Sequence, residues 1–255
     1  MDVVFHPKFF EGNYAPDPAA EVGRIEPIML ALEGEGGYNF REPDSATEEQ
    51  ILRAHTKRHY NEVRHDKRVF EMAMLAAGGA ILSAQLGWSE TPCFAVVRPP
   101  GHHASADSCW GFCYFNNLAI SLLDLFATAH VNSAFILDFD HHFGDGTVNI
   151  LGSRPGVTII NPQHTESEEA YLAEVAEELA KVPTVDIITA SAGFDEGKED
   201  WGHLLSYATY EEIGKMMKDF AEEKCEGRRY AVLEGGYNHQ EIGKNAAAFC
   251  RGFRD

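Results

Sequence analysis

Basic residues are scarce in this chain: 21 Lys and Arg stand against 40 Asp and Glu, a formal charge of −19. A protein that grips a phosphate backbone needs a cationic face, so this balance argues against nucleic acid as a direct partner. It would draw in a cationic substrate, and it serves solubility equally well. The five cysteines (Cys93, Cys109, Cys113, Cys225 and Cys250) are an odd number without a CxxC pair. Neither a disulfide framework nor a thiolate zinc site is indicated, and Cys109 and Cys113 read as small packing residues. No apolar stretch approaches the roughly 20 residues that span a bilayer. The opening MDVVFHPKFF lacks the basic region and apolar core of a signal peptide, so the expectation is a cytoplasmic protein without a membrane partner. Repeats, low-complexity tracts and linkers are also missing. The 255 residues therefore read as a single domain, 1–255, with ample length to bury a core.

What is present is an alternation of strand, loop and helix. Short apolar runs at Cys93–Val97, Ser133–Leu137, Val157–Ile160, Val185–Thr189 and Tyr230–Leu233 read as strands, after a first one at Val3–Phe5. Helical patterns follow at about 115–129, 167–181, 210–224 and 240–252. Earlier ones cover about 23–33, 49–55, 57–64 and 67–86, the second introduced by the helix-start signature Thr47-Glu48-Glu49-Gln50. Such an alternation predicts an α/β fold with a predominantly parallel sheet flanked by helices. Ligands of such sheets bind at the carboxyl ends of the strands, and here the Gly-, His- and Asp-rich loops all follow strands.

The richest of these loops is Ile136 to Thr147, ILDFDHHFGDGT. If the extended backbone continues past Leu137, Asp138, Asp140 and His142 project to one side and His141 to the other. Carboxylates that close repel unless a cation or proton separates them, although Gly144-Asp145-Gly146 also looks like an ordinary turn. Asp140, His142 and Asp195 can form a three-ligand site with open positions, suited to Zn²⁺ first and Fe²⁺ second. His102 and His103 titrate near neutral pH and suit proton transfer, with Asp138 and Asp145 left over to orient them. Tyr237, on a Gly-Gly loop, can donate a hydrogen bond to a developing oxyanion.

The motifs RPPGHHA, GFCYFNNLAI, LDFDHHFGDGT, SAGFDEG and LEGGYN, in this order, resemble the histone deacetylase family, including its deacetylase-like and acetylpolyamine amidohydrolases. The resemblance implies the arginase/deacetylase fold and zinc-dependent removal of an acyl group from an amine. By position it implies Asp140, His142 and Asp195 as zinc ligands, and His102 with Asp138 and His103 with Asp145 as the two His-Asp pairs. His103 would act as general base and then acid, with His102 acting mainly electrostatically. Tyr237 would polarise the acyl carbonyl, and Gly111 and Phe112 would line the substrate tunnel. A structural K⁺ is implied too, held by backbone oxygens of Asp138, Asp140 and His142.

The chain departs from the family pattern in places. Its His-His pair stands one position early, so that Phe143 follows the ligand His142. The link from Asn161 to Glu166 is short where relatives carry a long tunnel-lining loop, which predicts a wider groove. Trp201 lies near the position of a selective Glu in polyamine-specific relatives and speaks for a different substrate. His141 is expected to be a bystander, and His6 and Arg24 receive no role. Three functions follow for testing: deacetylation of an N-acylated amine such as acetyl-lysine or a small molecule, a non-catalytic acyl-binding module of the same fold, and a two-manganese ureohydrolase. An acetylpolyamine deacetylase is a variant of the first.

Overall fold

The computed structural model describes every residue except Glu90, His130, His164 and Asp255. In chain order the strands are β1 Asp2–Val4, β2 Asn39–Arg41, β3 Cys93–Ala95, β4 Ala134–Asp138, β5 Val157–Ile160, β6 Ile187–Ala192 and β7 Arg229–Leu233. They form one sheet in the order β2-β1-β3-β7-β6-β4-β5, and every pairing is parallel. The helices are α1 Glu26–Glu35, α2 Glu48–Ile51, α3 Lys57–Arg64, α4 Lys67–Ser89, α5 Asn117–Thr128, α6 Asp145–Leu151, α7 Glu168–Lys181, α8 Tyr207–Lys224 and α9 Ile242–Phe253.

Interior strands are buried along their whole length, as the unbroken apolar runs predict: every residue of β3, β4, β6 and β7 is enclosed. Alternation along β3 separates the two helical layers. Phe94 packs on Phe249 of α9 at 6.0 Å, whereas its neighbour Cys93 meets Ser83 of α4. On the first side α9 also packs against α8 and α1; on the second α4 packs against α5. Caps fix where several helices begin. Thr47 and Gln50 form a reciprocal capping box for α2, and the side chains of Asn116, Ser167 and Ser206 accept backbone N–H groups of α5, α7 and α8.

Three expectations need correction. Gly144-Asp145-Gly146 is not a free turn, because α6 starts at Asp145, where an acidic side chain in the first turn is favoured by the helix dipole. The edge strand β2 was unforeseen: all three of its residues are exposed, so no burial pattern marks it. Finally, α4 is long and apolar enough to cross a membrane by length and composition alone, contrary to the reading of the sequence. Most of that apolar surface is spent inside the protein, against β1, β3, β7 and α5.

Candidate metal and catalytic centre

Four strands adjacent in the sheet, β3, β7, β6 and β4, each deliver a loop to the same carboxyl-end edge. They carry respectively His102 and His103, Glu234 to Tyr237, Asp195, and Asp138 to Asp145.

Asp140, His142 and Asp195 are brought together, with one donor atom of each lying within 4.8 Å of the others. Both carboxylates are buried and accept backbone N–H groups, Asp140 at both oxygens because His142 N also donates to its Oδ1 at 2.9 Å. Gly235 N donates to Asp140 Oδ2 at 2.8 Å, and His141 N donates to Asp195 Oδ1 at 3.1 Å. Their other oxygens face His142 Nδ1, at 3.2 Å from Asp140 and 3.1 Å from Asp195. These two hydrogen bonds hold the His142 imidazolium up to about 10. Burial and the charge of Asp140 push Asp195 up to about 6. Two inward-facing carboxylates share one positive partner here, the donor set that a borderline divalent ion takes. The surrounding backbone leaves no room for side chains: a Cβ on Gly193 would lie 2.2 Å from Asp140 Oδ2.

The imidazoles flank this trio in unequal settings. His102 Nδ1 is 3.2 Å from Asp138 Oδ2 and its Nε2 is 3.6 Å from Asp140 Oδ1, with all three residues enclosed. Burial works against charge on His102, but the carboxylates of Asp140 and Asp138 outweigh it and hold its pKa well above the usual value. His103 Nδ1 is 2.6 Å from Asp145 Oδ1. Its pKa falls to about 4, because burial and the neighbouring His102 outweigh Asp145. One imidazole is thereby kept protonated and the other neutral.

Tyr237 lies at the mouth, stacked on Trp201 with centroids 4.1 Å apart and 5.9 Å from the ring of Phe112. Burial raises its phenol well above the ordinary range, so it stays a donor. Gly111 and Phe112 both adopt left-handed backbone, φ +59° and +66°, and a Cβ at Gly111 would sit 2.5 Å from His103 Cδ2. All eleven residues singled out in the sequence for catalysis, metal or substrate thus belong to this edge or its rim. The link 161–166, expected to be short, includes His164, which lies outside the described residues. Its Asn161 Oδ1 accepts from Gly144 N at 2.9 Å, beside the Asp138 to Asp145 loop.

Other residues escaped the sequence reading. Buried Arg24 donates through Nε to Gly236 O and through Nη2 to Glu234 O, with its guanidinium 5.2 Å from the Tyr237 ring centroid. Asp200 accepts the N–H groups of Tyr237 and Asn238, both at 2.7 Å. Glu234 accepts from Gly101 N and His102 N, joining the His loop to β7; burial pushes it up to about 7. An acid immediately before Gly235-Gly236 at a strand end was the available signal for Glu234. Nothing local marks Arg24, whose contacts span 212 residues of sequence. His141 is no bystander either: beyond its backbone bond to Asp195, its Nδ1 lies 2.5 Å from Glu196 Oε2.

Residues 19–171 and 161–253 match the model of the histone deacetylase domain. The chain belongs to the histone deacetylase family. The two matched segments overlap at 161–171. Among relatives of this deacetylase family, a probable deacetylase of Archaeoglobus fulgidus is 30% identical, over 92% of this chain and 81% of its own length. Another, from Methanothermobacter thermautotrophicus, is 28% identical over 98% and 90%. The crystal structure of the HDA15 HD domain superposes with a TM-score of 0.88 at 23% identity, covering 98% of this chain and 88% of that one, which shows the shared arginase/deacetylase fold.

Proposed function

We propose that this histone deacetylase-family protein is a zinc-dependent amidohydrolase that removes an acetyl or other short acyl group from an N-acylated amine, acetyl-lysine or a related small molecule. The observation that carries this reading is the convergence of one trio that could hold a cation, two His-Asp pairs and a half-buried phenol on a single sheet edge. Asp140, His142 and Asp195 would hold the ion, Zn²⁺ before Fe²⁺. When bound, such an ion polarises an acyl carbonyl and acidifies water.

The protein's own groups supply the proton traffic. Neutral His103 accepts a proton from the attacking water at Nε2, since Nδ1 is engaged by Asp145. It returns that proton to the amine nitrogen as the C–N bond breaks, and the remaining water proton passes from the new carboxyl to the amine, leaving acetate and alkylammonium. Protonated His102, seated between Asp138 and Asp140, supplies positive charge rather than proton exchange. Tyr237 O–H donates to the carbonyl oxygen as negative charge develops there, from a loop fixed by Arg24 and Asp200. Gly111, Phe112 and Trp201 line the approach, and Trp201 presents an indole rather than a carboxylate to the substrate, which disfavours polyamines. The resemblance alone adds a K⁺ on the backbone oxygens of Asp138, Asp140 and His142.

Zinc-loaded protein assayed on acetyl-lysine peptide, acetylpolyamines and longer acyl-lysines tests this. The expected result is turnover of at least the acetyl-lysine substrate that Tyr237→Phe and His103→Ala each lower by about a hundredfold or more. Binding of these amides without hydrolysis of any would instead identify an acyl-binding module.

A further inference from the structure

We propose that Trp110 is a positioning residue for the His103-Asp145 pair, clamping both partners from the solvent side; this rests on the deacetylase reading above. Asp138 is fixed by enclosure. The Asp145 side chain is 43% exposed, and at that exposure a lone hydrogen bond to an imidazole gives the carboxylate little reason to hold one orientation. Trp110 provides the missing restraint. Its Nε1–H donates to Asp145 Oδ2 at 2.9 Å, while Asp145 Oδ1 takes His103 Nδ1 at 2.6 Å, so each oxygen has its own donor. The indole also lies against the imidazole face, with centroids 3.9 Å apart and planes 32° from parallel. The three side chains form a closed triangle in which neither Asp145 nor His103 can rotate without losing a contact to Trp110.

The local backbone is built for this approach. Cys113 N bonds back to Trp110 O at 3.1 Å in a tight turn, and Gly111 takes a left-handed φ where any Cβ would strike His103. Packing does not account for the indole, because Trp110 is 55% exposed and contributes little to the core. Its effect on the reaction is to keep Nδ1 of His103 engaged and so keep Nε2 available as the proton acceptor.

The test pairs Trp110→Phe, which keeps a ring on His103 and removes the N–H, with Asp145→Asn in a double-mutant cycle on zinc-loaded protein. We expect Trp110→Phe to lower kcat about tenfold with KM within about twofold, and to change kcat by less than about twofold once Asp145 is Asn. A single variant with wild-type kcat, or a full tenfold loss persisting beside Asp145→Asn, overturns the proposal. Amide-proton NMR gives a readout independent of turnover. Of the three indole N–H resonances, the one missing in Trp110→Phe should be the one that shifts in Asp145→Asn; no shift in it refutes the contact. Wild-type protein inert on every acyl amine would sink the deacetylase reading itself, whereas active wild type with an indifferent Trp110→Phe sinks only this role.

Discussion

The two His-Asp pairs of this site contain the same chemical groups and are built by opposite means. His102, on the loop after β3, and Asp138, at the end of β4, are sealed in the protein next to the metal-site carboxylate of Asp140. His103 and Asp145 stand at the edge, with Asp145 opening α6 and a tryptophan in place of surrounding core. The carboxylates of Asp140 and Asp138 outweigh burial and make the first imidazole a fixed positive charge, while burial and that neighbouring charge together keep the second neutral. A proton carrier must change state in every turnover, and a charge held between two buried carboxylates resists doing so. The division of labour therefore comes from surroundings rather than residue type.

Removing the imidazoles should separate the roles most strongly. His103→Ala should cost about a thousandfold in kcat, the range of a lost general acid–base, and His102→Ala about tenfold to a hundredfold. Equal losses in steady-state assays of the two variants would erase the distinction. The carboxylates should differ in the other direction. Asp138→Asn breaks a buried pair and should cost about 3 kcal/mol of folding free energy in urea melts. Asp145→Asn should stay within about 0.5 kcal/mol of wild type while lowering kcat.

Two smaller effects concern protons. In metal-free protein His142 is protonated to about pH 10, so zinc uptake at pH 7 should release about one proton, measurable by calorimetry in buffers of different ionisation enthalpy. Imidazole NMR of the same metal-free protein should find His102 charged and His103 neutral at pH 7. The corresponding stability terms have opposite signs. His103, lowered from 6.5 to about 4, binds protons more readily in the unfolded chain, so its contribution is lost as pH falls from about 6.5 towards 4. His102, raised, contributes fully below its unfolded value and loses that contribution as pH climbs through the raised one.

The surroundings of the His103-Asp145 pair were harder to see in the sequence than the pair itself. The order of strands and loops, and the convergence of His102, His103, Asp138 to Asp145, Asp195 and Tyr237, are legible because apolar runs mark strands and parallel sheets gather ligands at one edge. The start of α6 at Asp145 was hidden because Gly-Asp-Gly is equally good turn chemistry, and β2 because an exposed edge strand has no buried face. Trp110 sits one residue before the GFCYFNNLAI motif; one of its contacts, His103, lies seven residues back on the same loop and the other, Asp145, opens α6, so sequence adjacency pairs it with neither. Arg24, His141 and Glu196 share that difficulty: their roles are tertiary contacts between distant segments, and residue type alone announces none of them.

The most direct test of the account is a titration of metal-free protein with zinc, following metal bound and acetyl-lysine peptide hydrolysed in the same samples. The account predicts a rate rising linearly to one zinc per chain and then level, with neither tight binding nor turnover in Asp195→Ala. One equivalent of zinc bound at this trio, without hydrolysis of any acylated amine, would contradict it.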